Sequence, residues 1–295
     1  MTPPLRGPRR APVERLRAHL SAVAGPARAA ALPDGYVRLG HVLLVRWPEE
    51  LRPHFGELSA ALADALGART VLRFSGPVEG ELRRPTVERL FGTDTETTVV
   101  EHGVRWRFDA ARLMFAAGNR TERARAGTVV RPGETVVDLF AGIGYFAIPA
   151  AKVGRAARVV AVDRNPESVR YLGENARLNG VGEVVEPLLG DNRTLPLAAG
   201  TADRVFLGYL PSAVPWVARA VPLLRPAGGT LHVHHVADAR GAVAAATTEV
   251  VEAVRAAGGR LLGSPVGREV KPYGPGRTHV VVDAGVEPPA GGTAG

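Results

Sequence analysis

The fold of this chain is decided by the stretch VVDLFAGIG, residues 136–144 of 295. Its apolar first half is typical of a buried strand, and its glycine-rich second half predicts a tight turn that opens a helix. Glycines in such a turn let a ligand approach the backbone closely. Asp138 stands at the carboxyl end of the strand, where open α/β sheets bind their ligands. The stretch therefore predicts a nucleotide site on a Rossmann-like sheet.

Beyond residue 109 the predicted strands and helices alternate, which indicates a mostly parallel sheet with helices on both faces. The last two strands are joined by a connection too short for a parallel crossover, so we predict an antiparallel hairpin. This α/β outline is that of class I methyltransferases. The predicted strands are 135–139, 159–162, 184–189, 204–207, 229–236, 261–270 and 278–283, and the predicted helices are 145–153, 166–179, 213–224 and 242–257.

The predicted transferase domain spans residues 110–285, and a small α+β domain over 34–109 precedes it. In the small domain we predict a strand over 36–45, a helix from about residue 48 to 66, and further strands near 70–74 and 97–108. Residues 1–33 are expected to be a basic, disordered tail that contains at most a short helix at 12–24, which Gly25 and Pro26 end. Residues 286–295 are expected to form a second disordered tail.

Composition limits the chemistry and leaves the partner open. The chain has no cysteine, so disulfides and thiolate chemistry are excluded. No apolar run approaches the roughly 20 residues that span a bilayer, and no signal-like stretch follows the N-terminus, so we expect a soluble, cytoplasmic protein. The net charge is +8, and the first 30 residues carry six arginines against Glu14. This arm is interpreted either as an RNA-binding segment or as a solvated tail.

Three acidic positions define the predicted ligand. Asp163 ends the strand that follows the glycine turn, about 20 residues on, where a carboxylate binds ribose hydroxyls. Asp191 and Asn192 end the third strand and are placed to contact an adenine edge. Asp138, close to Gly142 and Gly144, would repel a pyrophosphate but suits a sulfonium and a free amino group. The set therefore favours S-adenosylmethionine over a dinucleotide.

The chain also resembles a family of tRNA-modifying enzymes. Residues 35–284 are similar to tRNA guanosine-N1 methyltransferases and to the wybutosine-pathway aminocarboxypropyltransferases of archaea and eukaryotes, both of which act on the purine just 3′ of the anticodon. The matching segments are MFAAGNRTER at 114–123, DLFAGIG at 138–144, DNR at 191–193, ADRV at 202–205, and GPG at 274–276 ahead of HVVVD at 279–283.

The resemblance implies roles for individual residues. Arg123 would contact the cofactor or position its methionine moiety, Asp163 would bind the ribose, and Asp191 with Asn192 would bind the adenosine. The resemblance also implies a tRNA substrate.

The loop after the fourth strand bears on which carbon of the sulfonium is transferred. Methyltransferases that act on amines place an Asn or Asp before a Pro in this loop, whereas this chain has Gly208 and Tyr209. The Gly-Tyr form is similar to the aminocarboxypropyltransferase branch, which we favour, with guanosine N1-methylation as the alternative. Tyr209 is a candidate for stacking on the acceptor base, and packing is its alternative role.

The histidines near residue 233 do not predict a metal site, because no carboxylate or cysteine nearby completes a ligand set. On a strand, His232 and His234 share a face, and His235 points the other way. We expect these histidines to line the far wall of the pocket. Two other hypotheses stay open, namely a small-molecule methyl or aminocarboxypropyl transferase on the same scaffold, and a non-catalytic RNA-binding protein.

Overall fold

The computed structural model describes residues 10–290 except for positions 77–79, 81 and 83, and it describes positions 10, 11 and 117 as backbone only. Contacts divide the chain into two units. The first comprises Met1–Val100 and Trp106–Ala117, and the second comprises Glu101–Arg105 and Gly118–Gly295. The division thus falls after Ala117, beyond the predicted boundary at residue 109.

Among its described residues, the first unit combines three α-helices with a four-stranded sheet. Strands β1 and β2 are antiparallel, β2 and β3 are parallel, and β3 and β4 are antiparallel. Helix α3 supplies the crossover that the parallel pair requires. The helices are α1 (Arg10–Ala24), α2 (Pro26–Ala31) and α3 (Phe55–Leu66), and the strands are β1 (Tyr36–Leu39), β2 (Val42–Val45), β3 (Thr70–Phe74) and β4 (Val87–Phe91).

The prediction of a disordered tail is wrong for residues 10–31, which form α1 and α2. Val13, Leu16 and Leu20 recur at helical spacing along α1, and all three are buried in the apolar core of the first unit. The predicted helix at 12–24 is therefore confirmed, and its apolar stripe is the reason why it is ordered. Positions 1–9 lie outside the described residues.

The strand predicted over 97–108 is instead a hairpin of two strands, β5 (Glu96–Glu101) and β6 (Val104–Asp109). The chain reverses at His102 and Gly103, whose φ angles are 49° and 76°. Positive φ at both central residues is the geometry of the two-residue turns that match the twist of a hairpin.

The second unit is built on an eight-stranded sheet in the order β12-β14-β11-β10-β7-β8-β9, with β13 paired to β14. Strands β7 to β11 run parallel, and β12 and β13 pair antiparallel with β14. The strands are β7 (Thr135–Asp138), β8 (Arg158–Asp163), β9 (Val185–Leu189), β10 (Arg204–Leu207), β11 (Gly229–Asp238), β12 (Arg260–Leu261), β13 (Val266–Gly274) and β14 (Arg277–Glu287).

Helices cover both faces of this sheet, as predicted. The helices are α4 (Arg120–Val129), α5 (Ala147–Lys152), α6 (Pro166–Leu178), α7 (Val217–Ala220) and α8 (Ala242–Ala256). Val205 packs into the core that α7 and α8 share, whereas the next residue, Phe206, contacts Phe146 at the start of α5. Because successive strand residues point to opposite faces, α5 and α8 lie on opposite sides of the sheet.

The C-terminal hairpin of β13 and β14 is confirmed, and β14 continues to Glu287, so the tail predicted from residue 286 starts inside a strand. Positions 291–295 lie outside the described residues. Among the residues that the structure describes, no helix is long and apolar enough to cross a membrane.

Candidate functional site

The glycine turn after β7 is held by the end of the neighbouring strand β8. The amide of Ala141 donates to the carbonyl of Val162 at 2.9 Å, and the amide of Gly142 donates to Oδ2 of Asp163 at 2.8 Å. Gly144 has a φ of 101°, and a Cβ there would lie 2.5 Å from Cδ1 of Ile148. The turn can therefore form only with glycine at this position.

Asp138 is fully buried beneath this turn. Its Oδ1 accepts a hydrogen bond from the amide of Phe140 at 3.1 Å, whereas its Oδ2 has no hydrogen-bond partner among the described residues. Burial raises the pKa of Asp138 to about 7. A buried carboxyl group with an unused oxygen suits a ligand that brings a positively charged donor.

Asp163 joins the same site from the end of β8. Its Oδ1 accepts from the amide of Asn165 at 2.8 Å, and Oδ2 accepts from Gly142, so the backbone fixes the orientation of the carboxyl group. Burial raises the pKa of Asp163. The structure thus brings Asp138, Gly142 and Asp163 together, as the sequence predicts, at the carboxyl edge of the sheet.

Asp191 and Asn192 follow β9 but face different partners. The carboxylate of Asp191 forms an ion pair with Arg193 at 2.7 Å, and hydrogen bonds from Arg193 lower its pKa to about 2. The side-chain Nδ2 of Asn192 donates to the carbonyl of Leu139 at 2.7 Å, and its Oδ1 accepts from Nε1 of Trp216 at 2.9 Å. Asn192 therefore braces the end of β7, and the adenosine contacts of both residues stay predictions.

Arg123 lies inside the second unit and is almost completely buried. Its Nε and one terminal nitrogen donate to Oε2 of Glu101 at 2.9 and 2.7 Å. The guanidinium also lies 6.0 Å from the ring centre of Tyr145, the residue after Gly144. Arg123 is thus next to the glycine turn, and its predicted contact with the cofactor stays a prediction.

Gly208 and Tyr209 begin the loop after β10. A Cβ at Gly208 would lie 2.7 Å from Cε2 of Phe146, so the ring fills the space that a side chain would need. The half-buried ring of Tyr209 packs against Phe140 and Trp216, with centroid distances of 5.2 and 5.0 Å. The loop therefore presents no polar side chain from position 208, and its aromatic group lies at the sheet edge.

The three histidines of β11 separate as the strand geometry predicts. His232 contacts Asp283 at 2.5 Å, and the ring of His234 stacks on Phe146 with centroids 5.1 Å apart. His235 contacts Oγ of Ser212 at 2.9 Å. Of the three, His234 is the one that reaches the site around Phe146. Within the described residues, no group of three or more potential ligands could hold a metal ion.

Three polar residues at this edge were not predicted as site residues. They are Asn119 before α4, Lys271 on β13 and His279 on β14. Lys271 and His279 are cross-strand partners, and this pairing depends on the register of the hairpin, although His279 begins the segment 279–283 that also carries the family resemblance. Asn119 lies inside the segment 114–123 that carries the family resemblance, and that resemblance could have indicated Asn119 as a candidate.

The donor set fits S-adenosylmethionine. Asp138 offers a buried carboxyl oxygen that has no partner among the described residues, and Asp163 lies at the strand end where ribose hydroxyls bind. A pyrophosphate at the same turn would meet two carboxyl groups, which disfavours a dinucleotide.

Comparisons with known proteins agree with this geometry. Residues 97–260 match the TRM5/TYW2 methyltransferase domain, and residues 16–95 match the TYW2 N-terminal domain. The tRNA(Phe) (4-demethylwyosine(37)-C(7)) aminocarboxypropyltransferase of Pyrococcus horikoshii is 34% identical to this chain, over 85% of the chain and 89% of that enzyme.

Solved structures show the same relationship. The P. horikoshii TYW2 structure in complex with MeSAdo superimposes with a TM-score of 0.80 at 31% identity, over 93% of this chain and 99% of that one. The complex of aTrm5 and tRNALeu gives a TM-score of 0.74 at 26% identity, over 92% and 77%. The predicted fold, cofactor and resemblance are thereby confirmed. The chain belongs to the TRM5/TYW2 methyltransferase family and is an S-adenosylmethionine-dependent transferase.

Proposed function

We propose that this chain transfers the aminocarboxypropyl group of S-adenosylmethionine to the purine just 3′ of the anticodon of a tRNA. The choice of the aminocarboxypropyl group over the methyl group rests on Gly208. The ring of Phe146 occupies the space that a side chain at position 208 would need. A transferase that holds an amine nitrogen through a polar side chain in this loop would need that space. The similarity to the P. horikoshii aminocarboxypropyltransferase supports the same branch.

The residues of this chain supply position and charge. When bound, the cofactor supplies an electrophilic carbon attached to a sulfonium, which is a good leaving group. Asp138 would place its negative charge beside the sulfonium of the cofactor, and Asp163 would hold the ribose. Tyr209, packed on Phe140 and Trp216, would offer its face to the acceptor base. Orientation then accounts for most of the rate.

The test is a product assay with S-adenosylmethionine and two tRNA preparations, one bearing 4-demethylwyosine at position 37 and one bearing unmodified guanosine. We expect methylthioadenosine and an aminocarboxypropyl nucleoside from the first preparation only. S-adenosylhomocysteine with a methylated guanosine from the second would establish the N1-methyltransferase alternative. Cofactor binding without either product would favour a small-molecule acceptor.

Two variants control this assay. Asp163→Ala should abolish cofactor binding and product while tRNA affinity persists, because Asp163 holds the glycine turn. Asp64→Ala removes an exposed carboxylate on α3 and should change neither. Full product formation by Asp163→Ala would overturn the assignment of the site.

A further inference from the structure

A second polar cluster lies on the carboxyl edge of the sheet, on the α4 side. It comprises Lys271 on β13, His279 on β14, and Asn119 with Gly118 directly before α4. A Cβ at Gly118 would lie 3.1 Å from Nζ of Lys271, so the ammonium group of Lys271 lies against the turn before α4. The cluster therefore joins the edge of the sheet to the start of α4.

This cluster lies at the same end of the unit as the glycine turn. A Cβ at Gly127, late in α4, would contact Val153 at the end of α5, whereas Arg123, early in α4, lies near Tyr145 before α5. The two helices therefore run side by side in the same direction, and both begin at the carboxyl edge. His234 completes the connection, because it stacks on Phe146 and its Nδ1 lies 2.9 Å from Nε2 of His279.

Two buried polar atoms of the cluster lack partners within the described residues. They are Oδ1 of Asn119 and Nδ1 of His279, and His279 is fully buried. Buried polar atoms in folded proteins are nearly always hydrogen-bonded. Buried atoms without a partner beside a binding site therefore indicate a ligand that forms hydrogen bonds with them. Because His279 faces His234 through Nε2, its unpartnered Nδ1 points away from that ring.

Lys271 and Arg268 bring positive charge to the surroundings of His279, and Glu122, which pairs with Arg268, brings negative charge. Burial lowers the pKa of His279 to about 3, and the neighbouring charge of Lys271 contributes to that shift, so the imidazole is neutral at physiological pH. The start of α4, which no side chain caps, adds partial positive charge. A neutral hydrogen-bonding ring beside an ammonium group suits an anion that also carries polar hydrogens, such as an α-amino acid.

We propose that Lys271, with Asn119 and His279, binds the amino acid end of S-adenosylmethionine, and that Lys271 contacts its carboxylate. This inference rests on the proposed cofactor site and deepens it. His234 on β11 is three strand spacings from Asp163 on β8, or about 14 Å, and His279 lies on the next strand, β14, from which Lys271 extends its long side chain to the turn before α4. Anchoring the carboxylate fixes which sulfonium carbon faces the acceptor, so Lys271 also determines the group transferred.

The test compares three ligands by calorimetry, without turnover. They are S-adenosylmethionine, its decarboxylated form, and methylthioadenosine, which lacks the whole amino acid chain. We expect Lys271→Met to weaken S-adenosylmethionine at least about tenfold, since a charge-assisted hydrogen bond is lost. The same variant should leave the affinities for the other two ligands within about twofold. Lys152→Met, the matched loss of the other lysine, should change none of the three.

Each other outcome has a definite meaning. Equal weakening of all three ligands by Lys271→Met would make Lys271 a structural residue, and unchanged S-adenosylmethionine affinity would refute the carboxylate contact. If cofactor affinity is unchanged but tRNA affinity falls, the anion is an RNA phosphate, and the proposal is overturned. If wild type shows the expected ligand pattern but makes no aminocarboxypropyl nucleoside, the carboxylate site stands and the proposed function fails.

Discussion

At the scale of single residues, the site depends on carboxyl groups kept in unusual states. At the glycine turn Asp138 is fully buried and Asp163 is half-buried, and desolvation raises the pKa of each. The unused oxygen of Asp138 is available to a cation, so ligand binding and ionisation of this group are linked. Asp191, in contrast, stays ionised because Arg193 stabilises its carboxylate.

We expect S-adenosylmethionine affinity to rise with pH and to level off above about pH 7, where Asp138 is ionised. Below that value the affinity should fall about tenfold per pH unit, since a cationic ligand favours the carboxylate. Calorimetry from about pH 5.5 to 8.5 measures this profile. Asp138→Asn should weaken binding and flatten the profile, and a flat wild-type profile would contradict the role of Asp138.

The same raised pKa of Asp138 predicts that the stability of the ligand-free chain falls as the pH rises, whereas cofactor affinity rises. The folded-state pKa of Asp138 is raised, so its contribution to stability is fully present below the unfolded pKa near 3.8 and is lost as the pH rises through about 7. Asp138→Asn should therefore be more stable than wild type at alkaline pH, and this difference should shrink toward acidic pH. Denaturant unfolding without the cofactor checks the sign.

At the scale of elements, the composition of α1 led to the prediction of a disordered tail, although α1 is an ordered helix. Arginines, alanines and prolines around residues 1–33 predict a tail, but Val13, Leu16 and Leu20 form an apolar stripe that packs into the first unit. Arg17, counted with a free basic arm, donates to the carbonyl of Leu32 at 2.5 Å and to Asp34 at 2.6 Å. Part of the basic charge is therefore structural.

Leu20→Ala should destabilise the first unit by about 2–5 kcal/mol, because Leu20 is fully buried and its truncation leaves a cavity. Val23→Ala on the same helix removes a side chain that is 52% exposed and should cost under about 0.5 kcal/mol. Denaturant unfolding followed through a signal from the first unit measures both. Equal, small effects would mean that α1 does not pack as described.

The sequence predicts elements better than it predicts pairings. The alternation after residue 109 and the glycine turn were sufficient for the sheet, because strand and helix periods differ and parallel strands share one carboxyl edge. The turn at His102 was missed because a histidine rarely adopts positive φ. The pairing of Lys271 with His279 was not predicted because it depends on strand register.

At the scale of the whole molecule, the net charge of +8 bears on the RNA partner. The affinity of the intact chain for tRNA should fall linearly with the logarithm of salt concentration, because phosphate contacts release counterions. Replacing the exposed Arg15 and Arg28 together by Ala should reduce that slope by about 1–2 if the basic helices contact phosphates. Filter binding across a salt series measures it.

Arg17→Ala is the control for this experiment. Its loss should lower the stability of the first unit and leave the salt slope unchanged, since its guanidinium is engaged by Leu32 and Asp34. An unchanged slope for the Arg15 and Arg28 variant would assign the phosphate contacts to other arginines.

The contact between Gly208 and Phe146 also constrains how this enzyme can evolve. A side chain at position 208 meets the ring of Phe146, which itself packs on Phe206 and His234. A side chain at position 208 therefore requires the ring of Phe146 to move or to be replaced by a smaller side chain. We therefore expect epistasis between positions 208 and 146, which the stabilities of the two single variants and the double variant would measure.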